Sequence, residues 1–339
     1  MDANWKALLT GDPLPWLLED DTPAVRHATL RTLMGKADDD PEVRSALATA
    51  MSQGPIATIL EAQNPDGYWA KPGAGYGPKY QGTVWQLVFL DQLSADPHAP
   101  AVKLACEYVL AHCQTSTGAF GCSAARTLAP PPPSAAIHCL HGNLLRALLG
   151  FGYFDDVRVR QAIDWQARSI TGDGFGRYYQ SSTSGPDCAC AANGKKPCAW
   201  GAVKALLALA RIPAEKRDEP VASAIDRVVE LLLSRDPAIA DYPTTFEGQR
   251  PSGAWFQLGF PLGYVTDVLQ NLEALCEAGF AGDPRLRNAV DWLLSKQDRQ
   301  GRWSNRHAYN GKTWGDIERQ GAPSKWVTLR ACHVLQMMA

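Results

Sequence analysis

The stretch Gln63-Asn64-Pro65-Asp66-Gly67-Tyr68-Trp69 returns near the other end of the chain as Gln297-Asp298-Arg299-Gln300-Gly301-Arg302-Trp303. Each copy follows an apolar, helix-like run, supplies a glycine for a tight turn and ends on a large ring able to seal that turn against a core. Weaker copies lie between them: Gly118-Ala119-Phe120 after Gln114, Gly172-Asp173-Gly174-Phe175, and a degraded version ending at Tyr242. Recurrence of one punctuated unit along 339 residues restricts the chain to a repeat architecture.

The units alternate two kinds of helix. One kind is amphipathic and carries a shared pattern: Ala105-Cys106-Glu107-Tyr108, Ala162-Ile163-Asp164-Trp165, Ala224-Ile225-Asp226-Arg227 and Ala289-Val290-Asp291-Trp292. The other is apolar nearly all round, over 83–93, 135–149, 199–212, 264–278 and 326–337, and a helix without a polar face must be packed on every side. Strict alternation predicts an inner ring of helices inside an outer ring. Residues 1–52 add two helices, 22–34 and 41–51, announced by Asp20-Asp21-Thr22-Pro23 and Asp38-Asp39-Asp40-Pro41. The expected fold is an all-α α/α toroid of about six inner and six outer helices, with 1–52 completing a ring built by 53–339. Turns from inner to outer helix are short, whereas outer-to-inner connections are long, over 65–81, 115–133, 171–197, 237–261 and 298–323. All five join the same two kinds of helix, so they fall on one face, where long loops usually carry function.

Gln63-x-x-Asp66-Gly67-x-Trp69 and Gln297-x-x-x-Gly301-x-Trp303 resemble the repeat motif of squalene-hopene and oxidosqualene cyclases, and the glycine-aromatic turns resemble those of protein prenyltransferase β subunits. The resemblance covers about 53–339. It implies an apolar central cavity and an enzyme acting on a hydrophobic, isoprenoid-like molecule by isomerisation, cyclisation or elimination. The catalytic signatures of that superfamily are missing. There is no Asp-x-Asp-Asp acid motif, since Asp38-Asp39-Asp40 follows Ala37, and no Asp-Asp-x-x-Asp magnesium motif. Ala189 stands two places after Asp187, where the prenyltransferase zinc element has cysteine.

Chemistry is concentrated in the third long loop, Gly185 to Trp200, with Cys188, Cys190 and Cys198. Cys198 follows Pro197 at the start of an inner helix, where backbone amides and the helix dipole favour a thiolate, so an activated cysteine is expected. His138 and His141, three apart on the preceding inner helix, are expected to approach Cys190 and Cys198. Three readings are open: a zinc site of Cys188, Cys190, Cys198 and His138, which would suit a zinc-dependent transferase; a metal-free Cys/His acid–base site, similar in idea to that of linalool dehydratase-isomerase; or ordinary buried thiols and a hydrogen-bonded histidine. Tyr68, Trp69, Lys79, Tyr80, Trp85, Trp200, Trp314, Lys325 and Trp326 are the expected substrate-binding residues. Asp66, Asp173 and Asp298 belong to turn chemistry, while Asp316 and Glu318 lie outside the repeat and are general-acid candidates.

The totals narrow the partners. A formal charge of −2 offers nothing to nucleic acid, no apolar run approaches a membrane span, and no apolar leader follows Met1, which together predict a cytoplasmic protein. Nine scattered cysteines predict reduced thiols. A non-catalytic lipid- or protein-binding ring and a carbohydrate-active α/α barrel are the alternatives, the latter needing two opposed carboxylates.

Overall fold

The computed structural model describes residues 5–123, 125, 127–174, 181, 183–244 and 251–339; the turn aromatic Phe175 lies outside them. A short 3-10 turn, Trp5–Leu8, precedes the α-helices α1 (Leu14–Leu17), α2 (Pro23–Thr32), α3 (Pro41–Ser52), α4 (Gly54–Glu61), α5 (Thr83–Gln92), α6 (Pro100–His112), α7 (His138–Gly150), α8 (Val157–Thr171), α9 (Ala199–Ala210), α10 (Glu219–Leu233), α11 (Val268–Leu275), α12 (Arg287–Leu294) and α13 (Lys325–Met338). The fold is the all-α α/α toroid. Its inner wall runs α5 against α7, α7 against α9, α9 against α11, α11 against α13 and α13 against α2. Outside stand α3 with α4, α6, α8, α10 and α12, and the N-terminal turn and α1 pack on α13. Helix α9 shows what the inner position demands: every residue from Gly201 to Leu209 is buried.

The repeat motif is a lock between neighbouring units. Gln63 donates its side-chain amide to the carbonyls of Gly67 (3.3 Å), in its own turn, and Ala101 (3.0 Å), in the first turn of α6. Gln114 does the same with Gly118 and Arg158, both at 2.8 Å. The turn aromatic closes the other side. The Trp69 indole N–H donates to Ile59 O (2.6 Å), Trp303 to Leu293 O (2.8 Å), and the degraded copy keeps the contact through Tyr242 Oη–H to Leu232 O (2.9 Å). In all three the carbonyl lies ten residues upstream, on the preceding outer helix.

Ring closure reuses this lock. Gln297 donates to Leu8 O (3.2 Å) and accepts from Thr10 N–H (3.0 Å), so the N-terminal segment occupies the place that α6 and α8 occupy for the earlier turns. Gly301 packs on Gly11 as Gly67 packs on Leu104 and Gly118 on Gln161. Asp298 accepts from the amides of Gln300 (2.8 Å) and Arg302 (3.0 Å), the turn role expected of it.

The axis departs from expectation. In place of an apolar central cavity, the inner helices fill the middle with ion pairs: Arg330 on Glu273 (2.7 and 2.5 Å), Arg146 on Glu277 (3.2 Å) and Arg211 on Asp91 (2.6 Å). A cavity of about 330 Å³ remains among them toward the C-terminal ends of the inner helices, lined both by these charged groups and by apolar side chains such as Phe260, Trp326 and Leu329. Charges paired in this way can sit in an interior only because each has its partner, so the network fixes which helices face one another. Among the described residues no helix is long and apolar enough to cross a membrane, and all nine cysteines are free.

Gly301 has φ +72° and an added Cβ would lie 2.3 Å from Gly11 O, whereas Gly152 has φ +85° with nothing within 4 Å. Gly301→Ala is therefore expected to cost about 2–4 kcal/mol in urea denaturation, strain and overpacking together, against about 1 kcal/mol for Gly152→Ala. Equal costs would contradict the ring-closure contact.

Candidate functional site

The long loops interlock over the N-terminal ends of the inner helices. Trp314, at the exposed rim, donates to Gln81 O (2.9 Å), joining the last loop to the first. Tyr80 stacks on Tyr309 with centroids 4.2 Å apart, and Tyr76, Tyr80 and Tyr264 surround the buried Trp85. Lys79 covers the rings of Tyr80 and Tyr264 at 5.1 and 5.6 Å.

The third loop contains structure that the sequence did not signal. Strands β1 (Ser184–Gly185), β2 (Ala189–Cys190) and β3 (Lys196–Pro197) form a small antiparallel sheet with Ser184 opposite Cys190 and Cys190 opposite Lys196. Asp187 and Cys188 both take positive φ, 56° and 57°, in the tight turn between the first two strands. This hairpin and the Cys198 amide, which donates to Cys188 O (3.0 Å), bring Cys190 over the start of α9.

Beneath it lies a cavity of about 490 Å³, off the ring axis, between the N-terminal ends of α7 and α9 and the third and fourth loops. Its size falls within the ~300–1,000 Å³ of small-molecule sites. Trp200, Tyr242, Trp255 and Tyr264 give it aromatic walls, and Cys139, Cys188, Cys190, Cys198 and His138 line it. The Trp200 indole N–H is buried with no hydrogen-bond partner among the described residues.

Cys190, Cys198 and Cys139 lie together on the cavity wall, where Cys198 bears on the ionisation of Cys190, and Cys139 and Cys190 on that of Cys198. The neighbouring Cys139 thiol and burial hold the Cys198 thiol up at about 12, against Cys190 and the first-turn amide of Gly201, which both favour the thiolate. The expectation of a dipole-activated Cys198 is thus corrected: Cys190 and one amide do not offset Cys139 and loss of water. The neighbouring Cys198 thiol together with burial raises Cys190, and burial raises Cys188.

The histidines are also corrected. His141 accepts from the Phe120 amide at Nδ1 (3.0 Å) and donates from Nε2 to Ala162 O (3.0 Å), fully enclosed. It does at its turn what Thr83 Oγ1 does for the Trp69 amide and Thr328 Oγ1 for the Trp303 amide, both at 3.0 Å. It is a member of the repeat lock and does not reach the cysteines. His138 lines the cavity, but Nδ1 accepts from Gln166 (3.0 Å) and Nε2–H donates to Gly185 O (3.1 Å). With both nitrogens engaged it has no lone pair for zinc, and among the described residues no group of three His, Cys, Asp or Glu is placed to hold a metal ion. The cluster does not fit the zinc site.

Other candidates are placed elsewhere. Trp69 is wholly buried as a turn seal, and Tyr68 packs on Tyr108 with centroids 5.5 Å apart. Lys325 bonds Glu19 (2.9 Å) and Asp21 at the ring closure. Trp326 stacks on Phe260 (4.6 Å) beside the axial cavity. Asp316 is exposed and accepts from Gly311 N–H (2.8 Å), and Glu318 accepts from Ser324 Oγ (2.7 Å) at the start of α13, so neither reaches the thiols. Sequence reasoning passed over Cys139, Tyr242, Trp255 and Tyr264 as site residues. It also passed over Lys204, whose signal was plain: a lone charge in the apolar run of α9.

No protein-family model and no curated protein matches the chain. Among solved structures it is similar to an unsaturated glucuronyl hydrolase specific for heparin, with TM-score 0.51 and 12% identity over 94% of this chain and 85% of that one. It also aligns with a type II terpene cyclase from Scytonema, with TM-score 0.32 and 14% identity over 84% of this chain and 95% of the other. A protein from Actinoplanes gives TM-score 0.34 and 16% identity, with 84% and 97% covered. At such identity the glucuronyl hydrolase shares the fold alone, and the two looser superpositions add nothing to it.

Burial pulls His138 down to about 4 and His141 to about 3 from the ordinary 6.5. The unfolded chain binds protons as pH falls through about 6.5 while the folded rings stay neutral. Their stabilisation is therefore complete above about 6.5 and is lost as pH falls toward the folded values, on the order of a few kcal/mol per ring. Urea denaturation at successive pH is expected to show this slope between pH 6.5 and 4.5, reduced in His141→Gln; an unchanged slope in that variant would contradict the buried, neutral assignment.

Proposed function

We propose that the toroid is an enzyme acting on a hydrophobic, isoprenoid-like small molecule in the off-axis cavity, by thiol-assisted acid–base isomerisation or elimination. The observation that carries this reading is the group of thiols, Cys190, Cys198 and Cys139, lining a cavity whose other walls are aromatic. In an elimination, a thiol proton passes to the substrate hydroxyl, the C–O bond breaks and water leaves. The remaining allylic cation is stabilised by the ring faces of Trp200, Tyr242 and Trp255. The thiolate then takes a proton from the neighbouring carbon, which forms the double bond and restores the thiol. A thiol held near 12 is a weak acid, but its conjugate base is strong, which suits the carbon-proton step.

The carbohydrate reading has the glucuronyl hydrolase likeness in its favour, but its requirement for free opposed carboxylates is unmet at the axial cavity. Asp91, Glu273 and Glu277 are each bound to an arginine there. A purely sequestering ring would use the same apolar walls and no thiol chemistry.

Incubation with geraniol, linalool and farnesol, followed by gas chromatography with mass detection, is expected to reveal isomerised or dehydrated product. Cys139→Ser, Cys190→Ser and Cys198→Ser should each lower turnover by at least ~100-fold, the scale of a lost acid–base group. Turnover unchanged in all three variants would overturn the thiol assignment, and binding without turnover would favour sequestration.

A further inference from the structure

The axial cavity and the off-axis one lie on either side of residues 259–264. Inner-helix side chains hold that segment inside the ring: Arg330 Nη1 donates to Gly259 O (2.8 Å), Gln92 exchanges two bonds with Leu262 (2.7 and 2.8 Å), and Asn143 donates to Gly263 O (3.1 Å). Phe260 lines the axial cavity and Tyr264 the off-axis one. The axial cavity, about 330 Å³, falls within the ~300–1,000 Å³ of small-molecule sites. Its lining has two characters. Phe260 stacked on Trp326 (4.6 Å), with Leu329 one turn further along α13, makes an apolar wall. Elsewhere three arginines face three carboxylates.

The charged pairs are not equally complete. Arg330 commits Nε and Nη2 to the two oxygens of Glu273 (2.7 and 2.5 Å) and Nη1 to Gly259, so this pair is closed. Arg146 is open. Of the five N–H groups of a guanidinium it uses one, Nη2 to Glu277 Oε1 (3.2 Å), and its Nε has no partner among the described residues. Arg211 Nη1 binds both Asp91 Oδ1 (2.6 Å) and the Arg146 carbonyl (3.0 Å), which brings Asp91 beside the same turn of α7. Glu277 and Asp91 each use one oxygen, and the second has no hydrogen bond among the described residues. The charged side therefore has bonds left to make to groups of both signs.

Charge balance selects the ligand. Asp91, Glu273 and Glu277 offset Arg146, Arg211 and Arg330, and burial lowers His333 from its ordinary 6.5, so it adds no charge at neutral pH. A purely anionic or cationic ligand would leave one interior charge uncompensated, whereas a zwitterion brings one of each sign. We propose that the axial cavity is a binding site for an α-amino acid with a large apolar side chain. The carboxylate takes open N–H groups of Arg146, the ammonium donates to the second oxygens of Glu277 and Asp91, and the side chain lies on Phe260, Trp326 and Leu329. No thiol takes part, so the site holds or fails separately from the isoprenoid reading.

Isothermal titration calorimetry of the full chain at neutral pH, with L-phenylalanine, 3-phenylpropionate and 2-phenylethylamine, tests the site, since each of the last two lacks one charge of the first. L-Phenylalanine is expected to bind with Kd below ~1 mM and each one-charge analogue at least ~10-fold more weakly, the difference that a charged hydrogen bond makes. Arg146→Lys keeps a cation opposite Glu277 but loses the planar fork, and should weaken L-phenylalanine by at least ~10-fold. No binding of L-phenylalanine up to about 10 mM, an analogue that binds as tightly, or an unchanged Kd in Arg146→Lys would each overturn the site. Should Arg146→Lys not fold, the ranking of the three ligands on the wild-type protein decides.

Discussion

The structure depends on one repeated contact: a glutamine that at two outer-to-inner turns bonds both its own turn and the first turn of the next outer helix, and at the last turn bonds the N-terminal segment. Gln63 and Gln114 join units that are adjacent in sequence, and Gln297 joins the last unit to residues Leu8 to Gly11, which closes the ring. The aromatic half of the lock satisfies last-turn carbonyls that would otherwise be stranded at a helix end, Ile59, Leu293 and Leu232, and glycine lets the two backbones approach without a side chain between them. The inner-helix residue that receives the aromatic amide varies among Thr83, His141 and Thr328 while the geometry is retained. A histidine at such a point therefore reports on the repeat and not on chemistry.

With these three turns fixed in this way, the long loops are free to differ, and the candidate site is built from their differences. The short sheet over 184–197 sets Cys190 above Cys198, and the fourth loop contributes Tyr242 and Trp255 to the opposite wall. The axis of the ring serves another purpose. Arginine–carboxylate pairs occupy it, and the space available to an apolar molecule is displaced to the gap between α7, α9 and the loops. Lys204, buried on α9, bonds Gln270, which lines the axial cavity.

The architecture was legible because its signal is local and repeated: a glutamine, a glycine and a ring at fixed spacing, then a helix apolar on all sides. The grouping of Cys190, Cys198, His138 and Trp200 was legible too, since loop three and two consecutive inner helices bring them together. What the chain did not disclose is each group's environment. The activation expected of Cys198 depends on whether its neighbours are amides or thiols, and Cys139 reaches it from another helix. Lys325 looked like a loop-face cation because its partners, Glu19 and Asp21, are some 300 residues away in sequence. Asp316 and Glu318 were singled out for lying outside the repeat, but the last loop uses them to bond its own backbone and the start of α13.

The claim that joins fold to function is that a hydrophobic molecule occupies the off-axis cavity and touches the thiols. X-ray diffraction from crystals equilibrated with farnesol tests it most directly. Ligand density between Trp200, Trp255 and Cys190, with the axial ion pairs undisturbed, is the predicted result. Density among Arg146, Glu277 and Trp326 instead, or an off-axis cavity filled only by ordered water, would contradict it.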